Sequence, residues 1–305
     1  MPITKVLSSF GNKLSERWIA TLFTPAFAFW LGGGAIYLQL QGWNNPARKA
    51  FNALSDPIKI TVLTLLLLSI AASGFIVQRF DWIIIRWMEG YWPKFMRPLR
   101  SQILKRQNKR LERDETRRQQ LALKAKNTPL NPDELEDFSQ LDWQLTHQIP
   151  EDPASRMPTH LGNILRAAEL APQLKYGLNS VLCWPHLWML LPEQARTDVA
   201  TARADLDTAA RLWLWSKLFC LWSISAFWAG PPYIALWPIV VGGFCAWLSY
   251  RWAINAAQNY ASLVCAAYDL YRFNLYESMK LKVPETRTEE IQMAEKLNSF
   301  LLRGY

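Results

Sequence analysis

Residues 65–87 read LLLLSIAASGFIVQRFDWIIIRW, an apolar run broken once by Gln78-Arg79-Phe80-Asp81 and then resumed. Either one long segment tolerates an arginine and an aspartate, or an apolar helix ends at Arg79 and a second element begins. A charge at the centre of a bilayer costs at least about 3 kcal/mol even on lenient insertion scales. Near an interface the arginine stem lies along apolar surface while its head reaches water. Arg79 is therefore read as the end of a membrane-crossing helix. The following FDWIIIRWMEGYWPKFM, with Trp82, Trp87, Tyr91 and Trp92 among charges, is read as a helix in the headgroup layer.

Three further runs share the apolar character of residues 60–78: residues 19–40, 212–229 and 233–250. About 20 apolar residues cross a hydrocarbon core of about 30 Å, so runs of this size suffice with flanking help. Composition agrees with a mixed chain. Half of the 305 residues are hydrophobic and 16 are tryptophan, a residue that gathers at membrane–water boundaries, yet mean hydropathy is close to zero. A membrane part and a strongly polar part must alternate along one chain.

Basic residues set the expected orientation. Lys5, Lys13 and Arg17 precede the first run, and Arg79, Arg86, Lys94, Arg97 and Arg100 follow the second. Arg251 follows the fourth run, and the connection between the third and fourth is the uncharged AGPPY. Arg48, Lys49 and Lys59 in the first outer loop run against this pattern. The expected fold is an all-α membrane protein with four transmembrane helices and long helical extensions into the cytoplasm. It is placed as a multi-pass protein of the cell inner membrane with both termini cytoplasmic.

The domain boundaries follow. Residues 1–96 form an N-terminal transmembrane hairpin with the interfacial helix, and residues 97–192 a cytoplasmic helical region. Residues 193–283 form a C-terminal transmembrane hairpin with a long cytoplasmic helix, and residues 284–305 a helical tail. The cytoplasmic connection divides by charge. Residues 97–126 hold eleven Lys/Arg and three acids, a net +8, while residues 130–153 hold seven acids and no Lys or Arg. Arg97, Arg100, Lys105, Arg106, Lys109 and Arg110 are the candidate contacts to anionic lipid. A helical hairpin in which basic and acidic segments neutralise each other is the competing reading. Nucleic acid is the least favoured of the three readings.

After Arg251 a helical pattern continues without proline to Pro284. Asn255, Gln258, Ser262 and Asp269 recur in steps of three, four and seven, beside an apolar stripe through Ile254, Ala257, Ala261, Val264, Tyr268, Tyr271 and Leu275. This is a seam of about 3.5 residues per turn, on a helix about 75 Å long at about 1.5 Å per residue. The polar positions are expected to line a pore or an assembly seam between copies of the chain. With PEQARTDVATARADLDTAARLWLW running into the third span, the pattern gives two long rods and no globular soluble domain. MPTHLGNILRAAELAPQLKYGLNSVLCWPHLWMLLPEQ predicts a helix capped by Thr159, then a short apolar segment over residues 181–191, too short to span.

Catalytic and metal-binding patterns are sparse. Cys183, Cys220, Cys245 and Cys265 are scattered, CWPH lacks a second ligand pair, and GxSxG, HExxH and P-loop patterns do not occur. No enzyme activity and no cofactor are expected. WLGGGAIY inside the first run is read as close helix packing rather than phosphate binding.

PTHLGNILRAAE, KYGL, WPHLWMLLP and DLYRFNLYE together resemble a pattern of uncharacterised bacterial four-span membrane proteins. The resemblance covers the second half of the chain and brings no activity with it. In layout alone the chain is similar to bestrophin-type channels; it has no bestrophin pore motif, and no residue role is carried over. The expected function is a homo-oligomeric channel or pore. The alternative is a membrane-anchored scaffold presenting its basic helical region to lipids or a partner protein.

Overall fold

The computed structural model describes residues 25–42 and 46–304, and within them the protein is all-helical. The helices are α1 (Pro25–Gln41), α2 (Pro46–Ala53), α3 (Asp56–Gln78), α4 (Asp81–Glu89), α5 (Arg97–Asn127), α6 (Pro132–His147), α7 (His160–Tyr176), α8 (Ser180–Leu190), α9 (Glu193–Cys220), α10 (Trp222–Ala229), α11 (Pro232–Ser278) and α12 (Arg287–Arg303). The chain divides into two units, Met1–Ile84 with Asp207–Trp252, and Ile85–Leu206 with Ala253–Tyr305. All three boundaries fall inside helices, so α4, α9 and α11 each contribute to both units.

Among the described residues, α3 and the stretch Tyr233–Ser278 of α11 are long and apolar enough to cross a membrane. The helix α3 starts with Asp56 in its first turn and Pro57 close behind, where proline's missing N–H is harmless. It stops at Arg79, whose N–H closes on the carbonyls of Ile76 and Val77. The interruption in residues 65–87 is thus a true helix end, and Asp81 opens a new helix. Only Ile70 is buried along α3. Ile60, Leu65, Leu66, Phe75 and Ile76 are all more than half exposed, from 56 % to 68 %. An apolar surface this extensive is not left bare to water.

The other two predicted spans are less regular. Residues 19–24 of the first lie outside the described residues, and α1 takes up the run at Pro25. The third bends at Leu221, where N–H groups reach back three residues (Leu221 to Leu218, Ile224 to Leu221). That tightened turn separates α9 from α10.

The first unit packs through small residues. A Cβ on Gly32 would lie 2.1 Å from the Phe219 ring, and one on Gly33 2.3 Å from the Trp222 ring. Two of the three glycines in WLGGGAIY are therefore what lets α1 meet α9 and α10. Ile36 of α1 joins Ala226, Ile234 and Ala235 in a small buried cluster. The Trp30 indole N–H donates to the Ser73 hydroxyl at 3.2 Å, tying α1 to α3.

The second unit has its own core, contrary to the expectation of rods without a globular part. Leu178, Leu187, Tyr268, Leu275, Tyr276 and Leu297 are fully or almost fully buried together. Every member of the predicted apolar stripe on α11, from Ile254 to Leu275, is buried or half-buried. The stripe needs neighbours, as the pattern implied, and α7, α8 and α12 of the same chain supply them. Asn298 of α12 locks the arrangement: its side-chain oxygen accepts from the Asn179 N–H (3.0 Å) and its amide donates to the Gly177 carbonyl (2.9 Å). Gly177 ends α7 at φ 76°, a left-handed cap that favours glycine.

The basic and acidic segments form the helical hairpin α5–α6. Asn131 and Glu134 build a reciprocal cap at the start of α6. Arg117 pairs with Asp137 (3.2 Å), Arg118 with Asp142 (2.8 Å) and Lys124 with Glu134 (2.7 Å). All three cations lie in the C-terminal half of α5.

Candidate functional site

Within the second unit, α4, α7, α8, α9 and α11 enclose a cavity of about 270 Å³. Its floor is built by local rules. Thr159 caps α7 by accepting from the Gly162 N–H at 3.0 Å, and its hydroxyl donates to the Glu89 carbonyl at 2.9 Å. Gly162 lets that carbonyl approach, since a Cβ there would sit 2.1 Å from the Glu89 oxygen. The end of α4 is thereby fixed against the start of α7, and the Glu89 side chain lines the cavity.

The walls are apolar and aromatic: Leu165 and Ala168 from α7, Val181 and Trp184 from α8, and Tyr260, Val264 and Tyr268 from α11. Trp184 and Tyr268 face each other with ring centroids 5.9 Å apart. Tyr268 is held by donating to the Ser180 carbonyl (3.0 Å), while the Ser180 hydroxyl donates to the Glu169 carbonyl (2.6 Å). Arg203 of α9 stands over the Tyr260 ring at 5.6 Å.

Three charged groups line this space: Glu89, Glu169 and Arg203. The Glu169 carboxylate is paired with Arg166 at 2.8 Å. Among the described residues, no hydrogen bond or ion pair reaches the Glu89 carboxyl. Burial pushes its pKa up to about 7 from 4.5; Arg203 and Arg86 oppose the rise and Glu169 adds to it. The cavity therefore holds a carboxyl group that changes charge near neutrality.

The residues singled out from sequence lie elsewhere. Asn255 and Ser262 are exposed on α11 and Gln258 is half-buried, so the polar stripe lies beside the covered apolar one. Asp269 is engaged within the chain, accepting from the Tyr176 hydroxyl at 2.6 Å and from Lys175 at 3.4 Å. Of the lipid candidates, Arg97, Lys105, Arg106, Lys109 and Arg110 are exposed and Arg100 is half-buried. Among the described residues, Arg110 has an ion pair, at 3.8 Å to Asp114 of its own helix. Nearby in sequence, Phe95 is 77 % and Leu99 45 % exposed. The CWPH pair separates, with Cys183 buried and His186 exposed.

Sequence reasoning missed the cavity because its lining comes from five helices and carries no motif. One signal was present. Glu89 is the last residue of α4, where the helix dipole disfavours a negative charge, and apart from Asp81 and Arg86 the helix before it is apolar and aromatic.

Comparison with known proteins adds no neighbour: no protein-family model, curated protein or solved structure matches the chain.

Proposed function

We propose that the chain is a multi-pass inner-membrane protein of four spans, both termini cytoplasmic, that anchors a basic helical face against anionic lipid headgroups. The uncovered N-terminal half of α5 carries this reading. The acidic helix α6 pairs with Arg117, Arg118 and Lys124 and leaves the cations between Arg97 and Arg110 exposed or half-exposed. Folding thus neutralises one half of a basic helix and leaves the other charged. Exposed Phe95 and Leu99 lie beside the uncovered half in sequence, and aromatic and apolar side chains next to cations suit a headgroup layer. Each lysine or arginine near an anionic surface contributes about 1 kcal/mol.

The test uses the whole protein in nanodiscs, with a donor fluorophore on Gln102→Cys in a background lacking the four native cysteines. Energy transfer to headgroup-labelled acceptors should be higher in phosphatidylglycerol than in phosphatidylcholine discs and should fall with salt. Equal transfer in both lipids would refute the reading.

A homo-oligomeric channel is the second reading, favoured by the exposure of Asn255 and Ser262 on α11. The hydroxyls of α3 give it no support. Thr61, Thr64 and Ser69 donate to carbonyls four residues back in their own helix, at 2.8–2.9 Å. On this reading Gln258→Glu alters ion selectivity after reconstitution. A monomer by light scattering with no ion flux would eliminate it.

A further inference from the structure

The Glu89 cavity has the composition of a ligand site rather than of a packing defect. A void that stays empty is apolar, and a polar one is filled by water or a ligand; this one is lined by the Glu89 carboxyl group. The Glu89 carboxyl is half-buried, and among the described residues no hydrogen bond or ion pair reaches it. Arg203 and Arg86 act on it electrostatically, and Arg203 is set over the Tyr260 ring. The second carboxylate, Glu169, already has Arg166.

We infer that this cavity binds a small organic ammonium ion, with the charged nitrogen on the Glu89 carboxylate and the hydrocarbon part against Leu165, Val181 and Val264. Aromatic rings favour the same charge, because their faces carry negative potential, and Trp184, Tyr260 and Tyr268 are among the lining residues. An anion would meet two carboxyl groups and a single guanidinium. The volume of about 270 Å³ lies near the lower end for ligand pockets and suits a compound of roughly ten heavy atoms or fewer. Entry is open at one rim, where Val181 is 65 % exposed. The inference does not depend on where the bilayer lies, and it fails or stands separately from the lipid reading of α5.

Binding should carry a pH signature. The groups facing Glu89 are Arg203 from α9, Glu169 from α7 and Arg86 from its own helix. With Glu89 titrating near 7, the free cavity is mostly protonated below that pH, and an ammonium ligand must displace the proton. Affinity should fall about tenfold per pH unit well below pH 7 and level off above pH 8.

The experiment is calorimetric titration of the full-length protein in lipid-free detergent at pH 8, with 3-methylbutylammonium and, as its charge-reversed counterpart, 4-methylpentanoate. The ammonium compound should bind one per chain and the carboxylate should not. Glu89→Gln should weaken ammonium binding at least about tenfold, the loss of a charge-assisted hydrogen bond, and abolish the pH dependence. Val181→Trp, made at the exposed rim, should block binding by filling the entrance with Glu89 untouched. Repeating the titration in nanodiscs separates two sources of the same chemistry. Weaker binding in phosphatidylethanolamine than in phosphatidylglycerol discs would assign the site to a lipid amine headgroup. Equal binding would assign it to a free amine. Carboxylate binding as tight as ammonium binding, or ammonium affinity unchanged in both variants, would overturn the inference.

Discussion

Replacing Gly162 by alanine should destabilise the protein through a single contact. The added Cβ would lie 2.1 Å from the Glu89 carbonyl oxygen and 2.9 Å from both its carbon and the Met157 Cβ. The obstacle is mainly backbone, so relief requires α4 and α7 to part by about 1 Å, and overpacking of this kind costs about 1–3 kcal/mol. Separation also stretches the Thr159–Glu89 hydrogen bond, worth about 1 kcal/mol. Alanine returns at most about 1 kcal/mol of helix propensity. The net loss is about 1–3 kcal/mol, a fall of about 5 °C in the unfolding midpoint followed by circular dichroism in detergent. Gly34→Ala is the control: nothing lies within 4 Å of its Cβ, and it should leave the midpoint unchanged or raise it. A Gly162→Ala midpoint at or above that of the parent would refute the close approach that fixes α4 against α7.

Arg272→Ala should cost about 3–5 kcal/mol, because it strands a buried partner: Arg272 and Glu290 pair at 2.7 Å with side-chain exposures of 15 % and 10 %. The guanidinium also covers the Tyr176 and Phe273 rings at 4.1 and 4.2 Å, so Arg272→Lys should recover only part of the loss in the same melt. Glu89 makes stability depend on pH. Its folded pKa of about 7 lies above the ordinary 4.5, so its contribution is full below 4.5 and is lost as pH rises through 7. Glu89→Gln should flatten that slope, by up to about 1.4 kcal/mol per pH unit, in melts taken from pH 5 to 8. Asn131→Ala removes the cap that accepts from the Glu134 N–H at 2.8 Å. It should cost about 1 kcal/mol and speed amide exchange at the start of α6.

Much of the helical layout was legible because it depends on local chemistry. Arg79 ends α3 where the charge pattern placed the end, and Thr159 caps α7 as its hydroxyl predicts. The glycines of α1 were recognisable as contact residues, although sequence could not say that Gly32 and Gly33 are filled by rings while Gly34 is open. Opposite charge along α5 and α6 left two outcomes standing. The neutralising hairpin forms over part of α5 only, because α6 is 16 residues long against 31 for α5 and covers one half. The stripe on α11 was correctly apolar, but periodicity cannot say whether the covering helix belongs to the same chain. Nor does it show that Asp269 already has Tyr176 and Lys175. The cavity was invisible for the same reason: Glu89, Trp184, Arg203 and Tyr260 meet only through tertiary packing.

The transmembrane placement of the apolar helices is tested most directly by sided cysteine labelling in intact cells with a membrane-impermeant maleimide. Gly230 is a poor reporter because its Cβ would lie 2.3 Å from Leu40, whereas Pro231 beside it is exposed. In a background lacking Cys183, Cys220, Cys245 and Cys265, Pro231→Cys should be labelled from outside. Asn127→Cys, exposed at the end of α5, should react only after the membrane is permeabilised. Labelling of both positions from the same side would contradict the topology and, with it, the placement of the basic half of α5 at the cytoplasmic leaflet.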